Sequence, residues 1–342
     1  MISIEEVNLN KNRNTIEEFL KGFGLRLDDD VEYTVCARLD GEMVGTCSFA
    51  GKVLKCFAVN ENLQGEGIAA QLITHVTNIL FEKGVYGTFI FTKPGNVEIF
   101  RGLGYRTVAS MDKAVLLEGG TANVKAYAAS MAKQSGLDNE EKAALVMNCN
   151  PFTLGHRYLI ERASMENSQV VVFIVEENRS LFPFEDRIEL VRKGIEDLKN
   201  VHVIPGGDYI ISSSTFPSYF LRSYDEKLRA YTGIDAQIFG KYIAPAFNIR
   251  RRYIGTEPYC QVTSAYNAAI LDVLPQYGVQ PVLVERLEKD GKAISASDVR
   301  EIIRQNREEE LKKLLPQTTL EYLETSKGKE IMKKIKLTNS PH

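Results

Sequence analysis

The apolar run Ala143-Ala-Leu-Val-Met147 is followed closely by Asn150-Pro-Phe-Thr-Leu-Gly-His156, and then by the amphipathic stretch Arg157-Tyr-Leu-Ile-Glu-Arg-Ala163. The run has the length of a buried strand, and helical periodicity begins just past the glycine. A strand, a tight turn and a helix start are implied. That arrangement has a chemical consequence. A helix N-terminus presents free backbone N–H groups and a positive dipole end, which suit a phosphate. Gly155 lets an anion approach the backbone closely. His156, at the same end, can bond to a phosphate oxygen.

A second segment, Ile294-Ser-Ala-Ser-Asp-Val-Arg300, also reads as a helix start, with Ser295 and Asp298 spaced as a capping box. Thr153-Leu-Gly-His156 resembles the (H/T)xGH signature of the nucleotidyltransferase superfamily, and Ile294–Arg300 resembles its ISSTxxR motif. The second motif departs from the pattern at Ala296 and Ser297, where Ser297 keeps the hydroxyl. The resemblance implies attack of an acceptor on the α-phosphate of a nucleoside triphosphate, with release of pyrophosphate. It implies catalytic roles for His156, Thr153 and Arg300, the first two on the α-phosphate. Ser295, Ser297 and Arg300 would hold the β- and γ-phosphates. The nucleotide site is expected to include Asn150, Phe152, Gly155, Ser295, Ser297 and Gly255, with Mg²⁺ neutralising part of the charge.

At 342 residues the chain is long enough for two domains. A net charge of −3 supplies no electrostatic case for nucleic acid. Cys36, Cys47, Cys56, Cys149 and Cys260 are scattered without metal-site spacing, which argues against disulfides and against a zinc centre. Met1–Glu6 lacks a signal-peptide apolar core, and no apolar run approaches the ~20 residues that span a bilayer. A soluble, cytoplasmic protein without membrane partners is expected. Glu118–Ala122 breaks a strand, Asn123 to Lys133 reads as an alanine-rich helix, and Gln134–Glu141 is polar and turn-like. The expected domains are therefore 1–135 and 136–342.

The second half alternates apolar runs (Ala143–Met147, Val170–Val175, Val201–Ile204, Gln237–Gly240, Arg252–Gly255, Pro281–Glu285) with helical patterns (Glu185–Leu198, Thr263–Leu274, Val299–Gln305). Such alternation predicts an α/β, doubly wound, Rossmann-like parallel sheet, whose ligands bind beyond the carboxyl ends of its strands. The first half predicts a hairpin, Tyr33–Leu39 and Glu42–Phe49 about Asp40-Gly41. A strand at Val53–Val59, a helix at Ala69–Glu82 opened by Gln64-Gly-Glu-Gly67, a strand at Thr88–Thr92 and a short helix at Val97–Gly102 follow. This order resembles the GNAT acetyltransferase fold, a mixed-sheet domain. Gln64, Gly67 and Ala69 match its (Q/R)xxGx(G/A) motif, in which successive N–H groups cradle a coenzyme A pyrophosphate.

A GNAT-like domain followed by a TxGH domain resembles the citrate lyase ligase family over nearly the full length. The likeness is sharpest at Asn148–Arg162, Phe182–Val191, Ser212–Phe220 and Arg252–Asn267. It implies an AMP-forming acid–thiol ligase using ATP and acetate. Acetyl-adenylate would form first. The acetyl group would then pass to the thiol of a dephospho-CoA-type prosthetic group on the citrate lyase acyl carrier protein, activating citrate lyase. Ser213, Ser214 and Thr215 could form an acetate or adenine pocket, or simply a loop. Gln64, Gly65, Gly67 and Ala69 could hold the prosthetic arm, or the first domain could be a scaffold. The alternatives are an adenylyltransferase or acetate ligase with another acceptor, and a GNAT acetyltransferase with a nucleotide-sensing domain. His75 and His202 read as ordinary packed or surface residues. Arg187 reads as either a salt-bridged surface residue or an ATP contact. Arg250–Arg252 reads as a solvated face, or as a contact for an acidic carrier protein or a phosphate, and Glu308–Lys313 and Lys327–Lys336 read as exposed helical segments.

Overall fold

A computed structural model describes residues 2–63, 65–176, 180–211, 226–257 and 261–337. Gln64 and Ser213, Ser214 and Thr215 lie outside the described residues. The chain divides into two units, Met1–Tyr127 with Pro217–Ala230, and Ala128–Phe216 with Tyr231–His342.

The first unit is built on a mixed seven-stranded sheet. Its strands are β1 (Ile2–Glu6), β2 (Tyr33–Leu39), β3 (Glu42–Ala50), β4 (Val53–Val59), β5 (Gly87–Thr92), β6 (Arg106–Met111) and β7 (Ala114–Gly120), in the order β1-β2-β3-β4-β5-β7-β6. Helices α1 (Leu9–Lys21), α2 (Ile68–Glu82) and α3 (Val97–Arg101) accompany it. Asp40 and Gly41 turn the β2–β3 hairpin with positive φ, as the sequence predicts. Only β4 and β5 pair in parallel, and only at Val53↔Phe89 and Leu54↔Ile90. Beyond those rungs the strands part. Cys56–Val59 on one and Ile90–Thr92 on the other line a cavity of about 490 Å³, together with Gly65, Gly67 and Ala69.

The second unit carries a five-stranded sheet, all parallel, of β8 (Lys142–Met147), β9 (Val170–Ile174), β10 (Val201–Pro205), β11 (Ile249–Gly255) and β12 (Gln280–Val284). Its order is β10-β9-β8-β11-β12. The strands are apolar on both faces because both are covered. Val170, Val172 and Ile174 enter one core; Val171 and Phe173 enter the other. Helices α5 (Leu154–Glu166), α6 (Phe184–Gly194), α10 (Ala296–Arg304), α11 (Gln317–Glu324) and α12 (Ser326–Leu337) contribute to the first core. Helices α4 (Val124–Ser135), α7 (Glu226–Ile238), the short α8 (Ala244–Phe247) and α9 (Gln261–Val273) contribute to the second. Ala128, Met131 and Ala132 of α4 pack in that second core, which is why this unit begins at Ala128 rather than after the helix.

Three expectations are corrected here. Gln237–Gly240 is not a strand. It spans the end of α7 and the start of a π-helical turn, Phe239–Ile243, because the run continues apolar through Phe247 and buries as a helix. Arg252 is not on a solvated face, although Arg250 and Arg251 are exposed; Arg252 is 1% exposed, since β11 is a central strand. Arg187 is 0% exposed, so it is not a surface residue. Its guanidinium donates to the backbone carbonyls of Phe182, Asn148 and Val175 and to Asn148 Oδ1 at 2.6–3.0 Å. It therefore clamps the carboxyl ends of β8 and β9.

Candidate active site

The order of the second sheet reverses between β8 and β11, the switch point beyond whose carboxyl ends parallel α/β sheets bind their ligands. Asn148–Thr153 leaves β8 there, Gly255 ends β11 there, and Arg286 follows β12 there. The peptide Asn150–Pro151 is cis. Asn150 Oδ1 accepts the Phe182 N–H at 3.0 Å, and Thr319 Oγ1 donates to the Phe152 carbonyl at 3.0 Å. The turn is thus held by side chains from outside it.

Thr153 caps α5. His156 N–H donates to Thr153 Oγ1 at 3.3 Å, and the Thr153 N–H donates back to His156 Nδ1 at 3.1 Å. This is a capping box with histidine in the place usually taken by Glu or Gln. Because Nδ1 accepts a backbone N–H, the neutral ring carries its proton on Nε2. Burial, and then the charge of Arg286, push the His156 pKa down to about 4. The imidazole is therefore a fixed-tautomer donor at neutral pH. We predict that histidine ¹⁵N NMR shows this ring neutral, with Nε2–H, from pH 8 down to about pH 4. A midpoint near the ordinary 6.5 would contradict that. The linkage sign follows: the contribution of the neutral ring to stability is complete above about 6.5 and is lost as pH falls toward 4.

The second motif meets the first directly. Ser295 caps α10, accepting the Asp298 N–H at 3.1 Å and donating to Asp298 Oδ2 at 2.9 Å. A Cβ on Gly155 would lie 3.0 Å from the Ile294 carbonyl oxygen, so a larger residue would push α5 and the residue before Ser295 apart by a few tenths of an ångström. Arg300 donates to the Asn150 carbonyl and, at 3.2 Å, to Ser297 Oγ. Burial lowers its pKa to about 10, where it remains charged.

Two residues behave differently from the sequence expectation. Phe152 is 0% exposed; it meets His156, whose ring lies parallel to its own at 6.2 Å. Thr153 is 1% exposed and its hydroxyl is engaged in the cap. In this conformation both side chains are buried and each contacts His156. Gly255 does lie on the rim, between Leu159 and Arg286, and its carbonyl accepts from Asn267.

Arg286 was not marked by the sequence. Its Nε donates to the Thr256 carbonyl at 2.6 Å, its guanidinium pairs with Glu257, and 24% of its side chain remains exposed. It stands close enough to depress His156. The available signal was its place just past a predicted strand, on the rim shared with Gly255.

These features belong to a nucleotidyltransferase-like domain on a parallel sheet, in a chain whose other unit has a GNAT-like mixed sheet. Comparison with known proteins gives the same division. Residues 142–323 match the citrate lyase ligase C-terminal domain, and residues 5–105 match the acetyltransferase (GNAT) family. Citrate (pro-3S)-lyase ligase of Klebsiella pneumoniae is 38% identical over 318 residues, 91% of this chain and 92% of that protein. The ligase of the same name from Escherichia coli K12 is 38% identical over 321 residues, 92% and 91% respectively. A phosphopantetheine adenylyltransferase of Clostridium botulinum is 31% identical over 81 residues, 23% of this chain and 46% of that protein. The chain belongs to the citrate lyase ligase family.

Proposed function

We propose that this protein activates acetate with ATP and transfers the acetyl group to the prosthetic-group thiol of the citrate lyase acyl carrier protein. The observation that carries the reading is the convergence of two capped helix starts at one sheet rim, joined by Gly155 against Ile294 and by Arg300 to Asn150. Between them stands a neutral His156 with Nε2 as donor.

An acetate oxygen attacks the α-phosphorus, and the bond from that phosphorus to the bridging oxygen breaks. Pyrophosphate leaves and acetyl-adenylate remains. No protein nucleophile is needed, only positioning and charge stabilisation. His156 Nε2–H donates to an α-phosphate oxygen as negative charge builds there. The α10 N-terminus, with Ser295, Ser297 and Arg300, holds the leaving pyrophosphate. Arg286 adds a second guanidinium on the opposite rim. Among the described residues no group of three or more His, Cys, Asp or Glu could hold a metal. Mg²⁺ accompanying the triphosphate would neutralise part of its charge. In the second step the thiol sulfur attacks the acetyl carbon, loses its proton, and AMP leaves. Acetate-dependent ATP–pyrophosphate exchange without any thiol acceptor tests the first step. Exchange that does not require acetate would favour an adenylyltransferase with another acceptor.

The cavity of about 490 Å³ in the first unit supports a role in the second step. Gly65, Gly67 and Ala69 line it, and Gly67, at φ 75°, immediately precedes α2. Free N–H groups at that helix start suit the pyrophosphate of the carrier's arm. We predict that Gly67→Asp leaves acetate-dependent exchange intact and raises the KM for the carrier in thiol acetylation by tenfold or more, roughly one lost charged contact. Gly67→Asn, neutral and equally tolerant of positive φ, separates charge from strain. Normal carrier acetylation by a folded Gly67→Asp protein would reduce this unit to a scaffold.

A further inference from the structure

Arg252 is a charged side chain in the middle of a core. It is 1% exposed, on the central strand β11, with the Phe239 ring 4.2 Å from its guanidinium carbon and the Tyr266 ring at 5.6 Å. Nη2 donates to the Tyr266 hydroxyl at 2.8 Å, and that hydroxyl donates to Asp235 Oδ2. Asp235, 1% exposed, also takes the Ile211 N–H at 2.8 Å through Oδ1. Nε and Nη1 of Arg252, however, are buried without a hydrogen-bond partner. Two nitrogens of a cation with unmet N–H donors, sealed from water, are a costly arrangement. Asp235 meets the positive charge through the intervening phenol, and the Phe239 ring faces the guanidinium without accepting in the plane of those donors.

The cluster is connected to the active-site rim. Arg252 precedes Gly255 on β11 by three residues, a rise of roughly 10 Å. Helix α9 touches both places: Tyr266 meets Arg252, and the adjacent Asn267 Nδ2 donates to the Gly255 carbonyl at 2.8 Å. Tyr266 and Asn267 are only half-buried, so α9 carries a continuous link from Arg252 to the rim at Gly255. Ile254, 8% exposed, stands on the same strand face as Arg252, one alternation closer to the rim.

We propose that the unpartnered donors of Arg252 receive the carboxylate of the short-chain acid that attacks the nucleotide, with Ile254 and Phe239 as the apolar wall that limits its chain length. This rests on the acid-activation reading given above. A carboxylate is the ligand class that matches the donors: it offers acceptors only, carries the opposite charge, and is small enough to enter beside aromatic rings. A phosphate would bring more charge than one guanidinium already shared with Asp235 can balance. An uncharged alcohol or amide would bring none. The same wall that excludes water strengthens the attraction and makes the site selective by size.

The test is acetate-dependent ATP–pyrophosphate exchange in Arg252→Lys and Ile254→Ala, with the melting temperature and ATP affinity of each variant measured alongside. Arg252→Lys keeps a cation and loses the planar set of donors. It is expected to raise the KM for acetate by about tenfold or more while ATP affinity changes less than about twofold. Ile254→Ala is expected to raise the propionate-to-acetate ratio of kcat/KM by about tenfold, the range set by one methylene in an apolar pocket. A folded Arg252→Lys protein with an unchanged KM for acetate overturns the proposal. So does a loss confined to melting temperature and kcat, which marks a merely structural arginine. Should Arg252→Lys fail to fold, an unchanged propionate-to-acetate ratio in Ile254→Ala overturns it independently. Absence of any acetate-dependent exchange in the wild-type protein refutes the activation reading itself.

Discussion

Replacing His156 by alanine lowers acetate-dependent ATP–pyrophosphate exchange by about 10²–10³-fold, the cost of deleting one preorganised donor aimed at a developing oxyanion. The loss falls on kcat more than on the KM for ATP, because the contact strengthens as the α-phosphate approaches five-coordination. His156→Gln offers a finer check. An amide can still donate, but it does not reproduce the Nδ1 anchor to the Thr153 N–H, which fixes where the imidazole points. We expect it to recover only part of the rate. Near-normal exchange in His156→Ala would remove this residue from the chemistry. It would leave the capping box as a purely structural device.

Arg300→Ala is the second large effect, and it has two components. The guanidinium joins the Asn150 carbonyl to Ser297, so its removal separates the two motif segments. Each charged hydrogen bond contributes about 1.5–3 kcal/mol, and a corresponding fall in melting temperature is expected. The proposed contact to the leaving phosphates adds a ligand-specific loss. ATP affinity should therefore fall tenfold to a hundredfold, about 1.4–2.8 kcal/mol, while AMP affinity falls much less. Arg300→Lys should recover the fold better than ATP affinity, since an ammonium reaches one partner where the planar fork serves two. Calorimetry that finds equal losses for ATP and AMP would show that Arg300 only braces Asn150, with no phosphate contact.

The strand–turn–helix at Ala143–Ala163 and the helix start at Ser295 were legible because their signals are local. A short apolar run, a cap residue and a helical period are set by neighbours in sequence. The same locality made the β2–β3 hairpin and the start of α2 readable. It also produced the error at Gln237–Gly240. A short apolar run has no period of its own, and only the continuation of burial through Phe247 decides for a helix.

The charged residues went the other way. Arg187, Arg252, Arg286 and Arg300 are not distinguished from other arginines by their immediate neighbours in sequence. Their fates depend on long-range packing: Arg187 clamps two strand ends, Arg252 is buried with two nitrogens unsatisfied, Arg300 ties two motifs together, and Arg286 keeps a face open. Thus the sequence by itself determined the family and the two strand–helix motifs, because a cap, a glycine and a helix start are written in contiguous residues. The tertiary structure alone decided which side chains can touch a ligand. Burial, tautomer and orphaned donors arise from contacts between residues as far apart as Asn150 and Arg300, which no local pattern records.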